Sequence, residues 1–172
     1  MQRVFRASWD IWVWVITSFF ILLMGVFPLG LISFALTTPG ANRTILIGIG
    51  VVLLIMLAVT YLFSPQAYQL ESGVLTIQRP GTDVTIPLGM IERVEVCGGW
   101  QVFRGALRLG ASGGAFGFYG SFWSKGLKNF SAFATRLDRV VILYRTQGDP
   151  IILSPDEVEA FVQVVEWARR RG

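Results

Sequence analysis

The residue types on which most protein catalysis depends are sparse in this chain of 172 residues. It contains no histidine, which removes the commonest general base and zinc ligand. The one cysteine, Cys97, therefore has no imidazole partner that could activate it as a nucleophile. A lone cysteine also cannot form an internal disulfide and fits a reducing compartment. We predict that Cys97 is a small buried residue in a strand.

The acidic and hydroxyl residues give no clearer sign of catalysis. No pair of carboxylates has the spacing of a metal site or of an acid–base pair, and Asp156 and Glu157 fit a helix start. Ser121, Ser124 and Lys125 lie in a glycine-rich stretch where loop polarity accounts for them. We therefore predict a protein that is not an enzyme and that needs no cofactor and no metal.

A basic, aromatic-rich segment covers residues 100–139. Its basic residues could meet anionic lipid headgroups while its aromatic side chains enter the membrane interface. Among its aromatic residues we expect Tyr119 and Trp123 to be exposed and most others to fill a domain core. The candidate lipid or partner surface comprises Arg104, Arg108, Tyr119, Trp123, Lys125, Lys128, Arg136 and Arg139.

Two stretches without charge dominate the first third of the chain. No charged residue lies between Asp10 and Arg43, and none lies between Arg43 and Glu71. Each stretch holds an apolar run long enough to cross a bilayer, which takes about 20 helical residues. The prediction is a transmembrane helical hairpin over residues 1–65, with helices over about 11–36 and 44–63 joined by a turn at 37–43.

Two other interpretations of the apolar runs fit less well. A buried helical pair in a soluble protein would keep a polar face, and neither run has one. A cleaved signal peptide would have a shorter apolar core than the first run. Pro28 predicts a kink in the first helix. Because glycine has no side chain to keep helices apart, we expect the two helices to approach closely at Gly25, Gly30, Gly48 and Gly50.

Aromatic residues flank both runs, as is typical at a membrane interface. Both outer ends of a hairpin lie on one side of the membrane, and Arg3 and Arg6 on that side outnumber Arg43 in the loop. This excess favours a cell-membrane protein that crosses twice, with both termini in the cytoplasm. The predicted interface anchors are Trp9, Trp12, Tyr61 and Tyr68.

Residues 66–172 form a second unit, long enough for one domain. Alternating apolar residues predict strands, and Ser72-Gly73 and residues 146–149 predict hairpin turns. The period then becomes helical, with Ser154 placed to cap a helix and Glu157 placed to complete a capping box. The predicted strands cover 66–71, 74–79, 82–87, 90–96, 139–145 and 150–153, and the predicted helix covers 155–170.

Glycine and aromatic residues interleave between these strands in a pattern that resembles a known family. The resemblance rests on Gly114-Ala115-Phe116-Gly117-Phe118-Tyr119-Gly120-Ser121-Phe122-Trp123, residues 126–135, the strand at 140–144, Ile151-Ile152-Leu153-Ser154-Pro155-Asp156 and Phe161. Together they resemble the signature of a bacterial pleckstrin-homology-like (PH-like) domain family over roughly residues 68–167.

The resemblance carries expectations about fold and function. It implies a seven-stranded, strongly bent sheet capped by the C-terminal helix, often preceded in such families by a hydrophobic hairpin. It also implies binding of lipid headgroups, peptides or other proteins. The inositide site of eukaryotic members is a basic cluster around the first hairpin, and only Arg79 lies near Ser72-Gly73 here, so that site is not carried over.

The predicted fold class is α+β: a transmembrane helical hairpin, then a PH-like bent antiparallel β-sandwich or barrel capped by a C-terminal helix. The leading hypothesis is a non-catalytic, membrane-anchored interaction or scaffolding module that meets the lipid bilayer and docks a protein partner or a second copy of itself. An anionic-lipid-sensing module using residues 100–139 is the alternative. A small membrane enzyme or transporter subunit would need a polar site facing the hairpin, for which the helices supply only Thr17, Ser18, Ser33 and Thr60.

Nucleic acid is not an expected partner. After residue 65 the chain has twelve basic and ten acidic residues. A nucleic-acid surface needs a marked and localised excess of basic residues, and this near balance does not provide one.

Overall fold

The computed structural model describes residues 2–38, 40 and 42–170. The predicted turn at 37–43 therefore lies partly outside the described residues, at Pro39 and Ala41. The last two residues of the predicted unit 66–172 lie outside them as well.

Long apolar helices follow a short first strand, β1 (Arg3–Arg6). They are α1 (Ile11–Ile21), a π-helical turn (Leu22–Val26), α2 (Phe27–Thr37) and α3 (Arg43–Leu62). Within the described residues, two continuous helices, 11–37 and 43–62, are long and apolar enough to span a membrane. Few of their residues are buried, whereas the core helices of a soluble protein are mostly buried. We call residues 11–62 the helical hairpin.

The π-helical turn lies immediately before Pro28, where the sequence predicts a kink. Proline lacks the N–H that would bond to the residue four positions back, and its ring clashes with that carbonyl. In the structure the Phe27 N–H bonds five residues back, to the Leu22 carbonyl. This wider turn gives the ring room and keeps the helix continuous.

The hairpin helices approach each other closely at one of the predicted glycines. A Cβ on Gly50 would lie 2.7 Å from Cγ1 of Ile32 on α2, so a larger residue does not fit there. Gly25 also faces the other helix, at an ordinary van der Waals distance. Gly30 and Gly48 face open space, so the prediction of close approach does not hold for them.

Two sheets form the rest of the molecule. β1 joins β2 (Ala67–Glu71), β3 (Val74–Gln78) and β4 (Val84–Pro87) in an antiparallel sheet with the order β1-β2-β3-β4. The second sheet has the order β5-β9-β10-β8-β7-β6 and is antiparallel except for the β8–β10 pair. Its strands are β5 (Ile91–Cys97), β6 (Leu107–Gly114), β7 (Gly117–Ser124), β8 (Lys128–Ala134), β9 (Val140–Arg145) and β10 (Ile151–Leu153).

Two helices accompany the sheets, α4 (Gly99–Phe103) and the C-terminal α5 (Val158–Arg169). Both sheets and α5 contribute to one hydrophobic core. Phe161 of α5 lies at its centre, edge-on to Phe5 of β1 and Tyr68 of β2, with ring centroids 5.2 and 6.1 Å away. Burial of the apolar face of α5 is what fixes this amphipathic helix in place.

The α+β class is confirmed, and each of the six predicted strands overlaps an observed one. Between residues 66 and 168, all of which are described, the structure has nine strands where the family resemblance implies seven. Residues 3–6, predicted as a charged flank of the hairpin, pair with β2 as a strand. A strand from before residue 65 thus joins the sheet of the second unit. The division of the chain into two units at residue 65 stays a prediction.

The predicted capping box at the start of α5 is wrong. The Ser154 side chain is fully buried, and its Oγ accepts the N–H groups of Thr135 and Arg136 instead of one in the helix. α5 begins three residues later than predicted, and Glu157 at its N-cap makes no side-chain cap bond. Ser154 follows β10 directly. Its hydroxyl therefore lies next to the segment after β8 and accepts hydrogen bonds from that segment, not from α5.

Candidate functional site at the junction of the hairpin and the sheets

Asp10 joins the start of the helical hairpin to the second sheet. Its Oδ1 accepts the N–H of Val13 at 2.8 Å and so caps α1. Its Oδ2 accepts the N–H of Leu137 at 2.9 Å. A carboxylate at a helix N-terminus also interacts favourably with the helix dipole, so one side chain serves both parts of the molecule.

Further bonds reach deeper along both helices. Thr17 of α1 is buried, and its Oγ1 accepts the N–H of Phe116, in the turn between β6 and β7, at 2.8 Å. The Tyr119 hydroxyl donates to the carbonyl of Thr60 in the last turn of α3, and the N–H of Gly81 donates to the Leu62 carbonyl at 2.9 Å. Carbonyls in the last turn of a helix lack partners within the helix, so the second and third bonds satisfy groups that the helix leaves free.

A cavity of about 700 Å³ lies beside these bonds, between the hairpin and the sheets. The hairpin supplies an apolar wall that includes Ile16 and Phe20 of α1 and Val59 of α3. β6, β7 and β8 supply the opposite wall, which is richer in hydroxyl groups, with Ser121 and Ser131 among them.

Two arginines, Arg79 and Arg108, are the charged residues that line this cavity. The Arg79 guanidinium lies 5.4 Å from the ring centroid of Phe63 and 5.8 Å from that of Phe133. Partial burial lowers the pKa of Arg79 while the nearby Asp83 opposes that shift. The guanidinium stays charged nevertheless, because arginine is not deprotonated in proteins.

Arg108 lies across Gly113, to whose carbonyl its Nη2 donates at 3.3 Å. A Cβ on Gly113 would overlap the guanidinium, so glycine at this position is what allows the side chain to lie there. Among the described residues, neither Arg79 nor Arg108 forms an ion pair. Neither guanidinium is therefore held in a salt bridge, although the carboxylate of Asp83 lies near Arg79.

Comparison with known families identifies the second unit. A family model described as "Bacterial PH domain" matches residues 66–168. The chain belongs to this family. Comparisons with curated proteins and with solved structures find no match. The predicted resemblance is therefore confirmed, and the match covers the sheet side of the cavity but not the hairpin side.

A bacterial PH domain is typically a non-catalytic interaction module. The surroundings of Cys97, the one potential thiol nucleophile in the sequence, agree with such a role. Cys97 ends β5 and is half-buried, less so than predicted. Burial raises the pKa of its thiol, with the charge of Glu95 adding to the shift, so the reactive thiolate is disfavoured. Among residues 2–38, 40 and 42–170, no group of three acidic or cysteine side chains is placed to hold a metal ion.

The eight residues of the predicted surface have different surroundings on the bacterial PH domain, and their role in binding stays a prediction. Arg108 and Tyr119 line the junction cavity. Tyr119 is buried, contrary to our expectation of exposure, because its hydroxyl reaches the end of α3. Trp123 is half-buried in β7. Outside the cavity, Arg104 follows α4 and is exposed, and Lys125 and Lys128 are exposed at the β7–β8 turn.

The remaining two members of that surface, Arg136 and Arg139, form ion pairs with acidic residues. Arg136 pairs with Asp138 at 2.5 Å and with Asp156 at 3.4 Å, and these bonds raise its pKa. Arg139 pairs with Glu159 of α5 at 2.6 Å. Binding of lipid or a partner by these residues stays a prediction, but Arg136 and Arg139 already have carboxylate partners.

Of the four predicted interface anchors, Tyr68 does not lie at an interface, and the prediction for it is wrong. It is fully buried in the core of the bacterial PH domain, where its hydroxyl donates to the Phe133 carbonyl. Trp12 and Tyr61 are largely exposed, and Trp9 is half-buried and packs edge-on against Phe116. For these three the anchoring role stays a prediction.

Sequence reasoning missed three exposed apolar side chains of the domain. They are Trp100 of α4, whose ring centroid is 6.4 Å from that of Trp12, and Leu107 and Leu109 of the edge strand β6. All three are more than half exposed. The leucines alternate along β6, but the glycines around them conceal the strand pattern.

The buried tyrosines predict a loss of stability at alkaline pH. Burial raises the pKa of Tyr68 and of Tyr119 from the ordinary 10 to about 12. Between these values the unfolded chain ionises and the folded chain does not, so stability is intact below pH 10 and falls as the pH rises towards 12. The expected slope is about 1.4 kcal/mol per pH unit for each tyrosine.

Unfolding of the full chain in detergent, followed on both sides of pH 10, measures this slope. The double variant Tyr68→Phe, Tyr119→Phe should be less stable at neutral pH, because the Phe133 and Thr60 carbonyls lose their donors. Its stability should nevertheless depend less on alkaline pH. An unchanged slope in the double variant would contradict the assignment.

Proposed function

We propose that the protein is a membrane-anchored, non-catalytic interaction module whose bacterial PH domain lies at the cytoplasmic face of the membrane and docks a protein partner. The observation that carries the proposal is the set of bonds at the junction. Asp10, Thr17 and Thr60 of the hairpin each bond to the domain. An anchor joined in this way holds the domain at a fixed height and orientation.

The apolar surface supports the membrane part of the proposal. The hairpin exposes large apolar side chains along both helices, which water would disfavour and lipid would accommodate. The exposed Trp100 of the domain lies beside Trp12 at the start of α1, and aromatic residues at the end of a membrane helix are typical of the level of the lipid headgroups.

The match to the bacterial PH domain family supports an interaction role, and we infer that this role is docking of a protein. An anionic-lipid-sensing role is the second candidate, favoured by the two unpaired arginines of the junction cavity. Docking of a second copy stays a prediction.

Cysteine accessibility in intact cells tests the topology. In a Cys97→Ser background, single cysteines are introduced by Asn42→Cys, before α3, and by Ser72→Cys, in the β2–β3 turn; both positions are exposed. A membrane-impermeant maleimide should label the Asn42→Cys protein in intact cells and the Ser72→Cys protein only after permeabilisation. Labelling of Ser72→Cys in intact cells, or release of the protein from membranes at alkaline pH, would overturn the proposal.

A further inference from the structure

We propose that the junction cavity binds the phosphate group of an anionic phospholipid taken from the adjoining leaflet. The inference rests on the proposed membrane anchoring and adds a ligand class and a site to it. The site consists of Arg79, Arg108, Ser121 and Ser131 on the domain side and the apolar wall of the hairpin on the other.

The unused donors of the arginines fit a phosphate. A guanidinium has five N–H groups in a planar fork that matches phosphate oxygens. Arg79 uses its Nε to bond the Thr82 carbonyl, and Arg108 uses Nη2 to bond Gly113. Within the described residues their other N–H groups have no hydrogen-bond partner, and no carboxylate lines the cavity to compete for them.

Two serines add neutral donors beside the arginines. Ser121 of β7 and Ser131 of β8 face each other in register, and both line the cavity. Neither hydroxyl bonds to another group in the part of the chain that the structure describes. Tyr119, in contrast, is engaged with the end of α3 and serves as a wall. Polar groups at a few points in an otherwise apolar cavity are typical of ligand sites.

Depth identifies a lipid as the occupant. Phe20 lines the cavity and lies nine residues beyond Ile11, the first residue of α1. At 1.5 Å per residue this is about 13 Å along the helix, more than the polar zone of one leaflet, which is roughly 5–8 Å. A cavity lined by two arginines on the domain side and by Ile16 and Phe20 on the hairpin side matches a headgroup with its upper acyl chain. A volume of about 700 Å³ exceeds what a free phosphate ion needs.

Lipid titration of the full chain in detergent, followed by native mass spectrometry, tests the site. The probes are phosphatidylglycerol, phosphatidylcholine and inorganic phosphate. The wild type should bind one phosphatidylglycerol in preference to phosphatidylcholine. The double variant Arg79→Gln, Arg108→Gln should lose about tenfold or more in affinity for phosphatidylglycerol. The matched control Arg93→Gln, Arg170→Gln removes the same charge from two exposed positions that do not line the cavity and should bind as the wild type does.

A variant that keeps both charges provides a second test. Gly113→Ala places a methyl group where the Arg108 guanidinium lies, so Arg108 must move although its charge remains. This variant should weaken phosphatidylglycerol binding while its thermal unfolding stays near that of the wild type.

Three outcomes would overturn the proposal: equal losses in the cavity variant and the control variant, no preference over phosphatidylcholine, or displacement of the lipid by inorganic phosphate. The cysteine labelling separates this inference from the proposed function. A correctly labelled protein without lipid preference disproves the site alone, whereas failed labelling disproves the anchoring.

Discussion

Replacing Phe161 with alanine should lower the free energy of unfolding of the bacterial PH domain by about 3–5 kcal/mol, which is close to the whole stability of a small domain. Phe161 is completely buried. Its ring contacts Phe5 and Tyr68 edge-on, at centroid distances of 5.2 and 6.1 Å. The substitution removes the transfer energy of the ring, leaves a cavity and breaks two aromatic pairs.

Denaturant unfolding of the full chain in detergent, followed by circular dichroism, measures this loss. Phe161→Leu keeps most of the volume and should cost less than Phe161→Ala. Gln163→Ala is the matched control, because Gln163 lies on the exposed face of the same helix and its removal should change stability by less than about 0.5 kcal/mol. If Phe161→Ala and Gln163→Ala unfold alike, α5 does not hold the core together.

The apolar stripe of α5 was predictable, but its partner Phe5 was not. Val158, Phe161 and Val165 recur at helical spacing and are all buried. Phe5 is in a strand of four residues, and it is the buried residue of that strand. A single buried position gives no alternation to detect, and the arginines around it match the charged flank of a membrane helix. Pairing with β2, more than 60 residues away, is what makes it a strand.

The glycine-containing strands β6 and β7 and their neighbour β8 escaped prediction for a different reason. Glycine lowers strand propensity, although here it permits close packing. At Gly117, φ is +123°, and a Cβ would lie 2.7 Å from the Ala134 carbonyl of β8. At Gly120, φ is +107°, and a Cβ would overlap the backbone of β6. Glycine signals close backbone approach in the sequence without identifying the strands that approach.

The junction cavity could be predicted only in fragments. Arg108, Tyr119 and Ser121 lie in the stretch that the sequence singles out, but Ile16 and Phe133, which line the same space, are 117 positions apart. No local motif relates them, because the cavity exists only where the hairpin meets the sheets. Some of the basic residues that cluster in the sequence instead form ion pairs with carboxylates from other elements, as Arg139 does with Glu159 of α5.

Replacing Asp10 with alanine should loosen the bacterial PH domain from the hairpin and cost about 2–5 kcal/mol. The loss combines a helix N-cap, worth about 0.5–2 kcal/mol, with a charge-assisted hydrogen bond worth about 1.5–3 kcal/mol. The two parts are separable, because each carboxylate oxygen serves a different element: Oδ1 bonds Val13 and Oδ2 bonds Leu137.

Asp10→Asn separates the two contributions. Asparagine caps helices as well as aspartate does, so the bond to Val13 should remain. Its amide group would then face the Leu137 N–H, a donor against a donor, so the junction bond should be lost. Hydrogen exchange of the full chain in nanodiscs should therefore show faster exchange at Leu137 in both variants and faster exchange at Val13 in Asp10→Ala alone.

The control Asp138→Asn weakens a half-exposed ion pair with Arg136 and should cost less than about 1 kcal/mol. Unchanged exchange at Leu137 in Asp10→Asn would mean that other contacts hold the junction, with the Thr17–Phe116 bond the first to test.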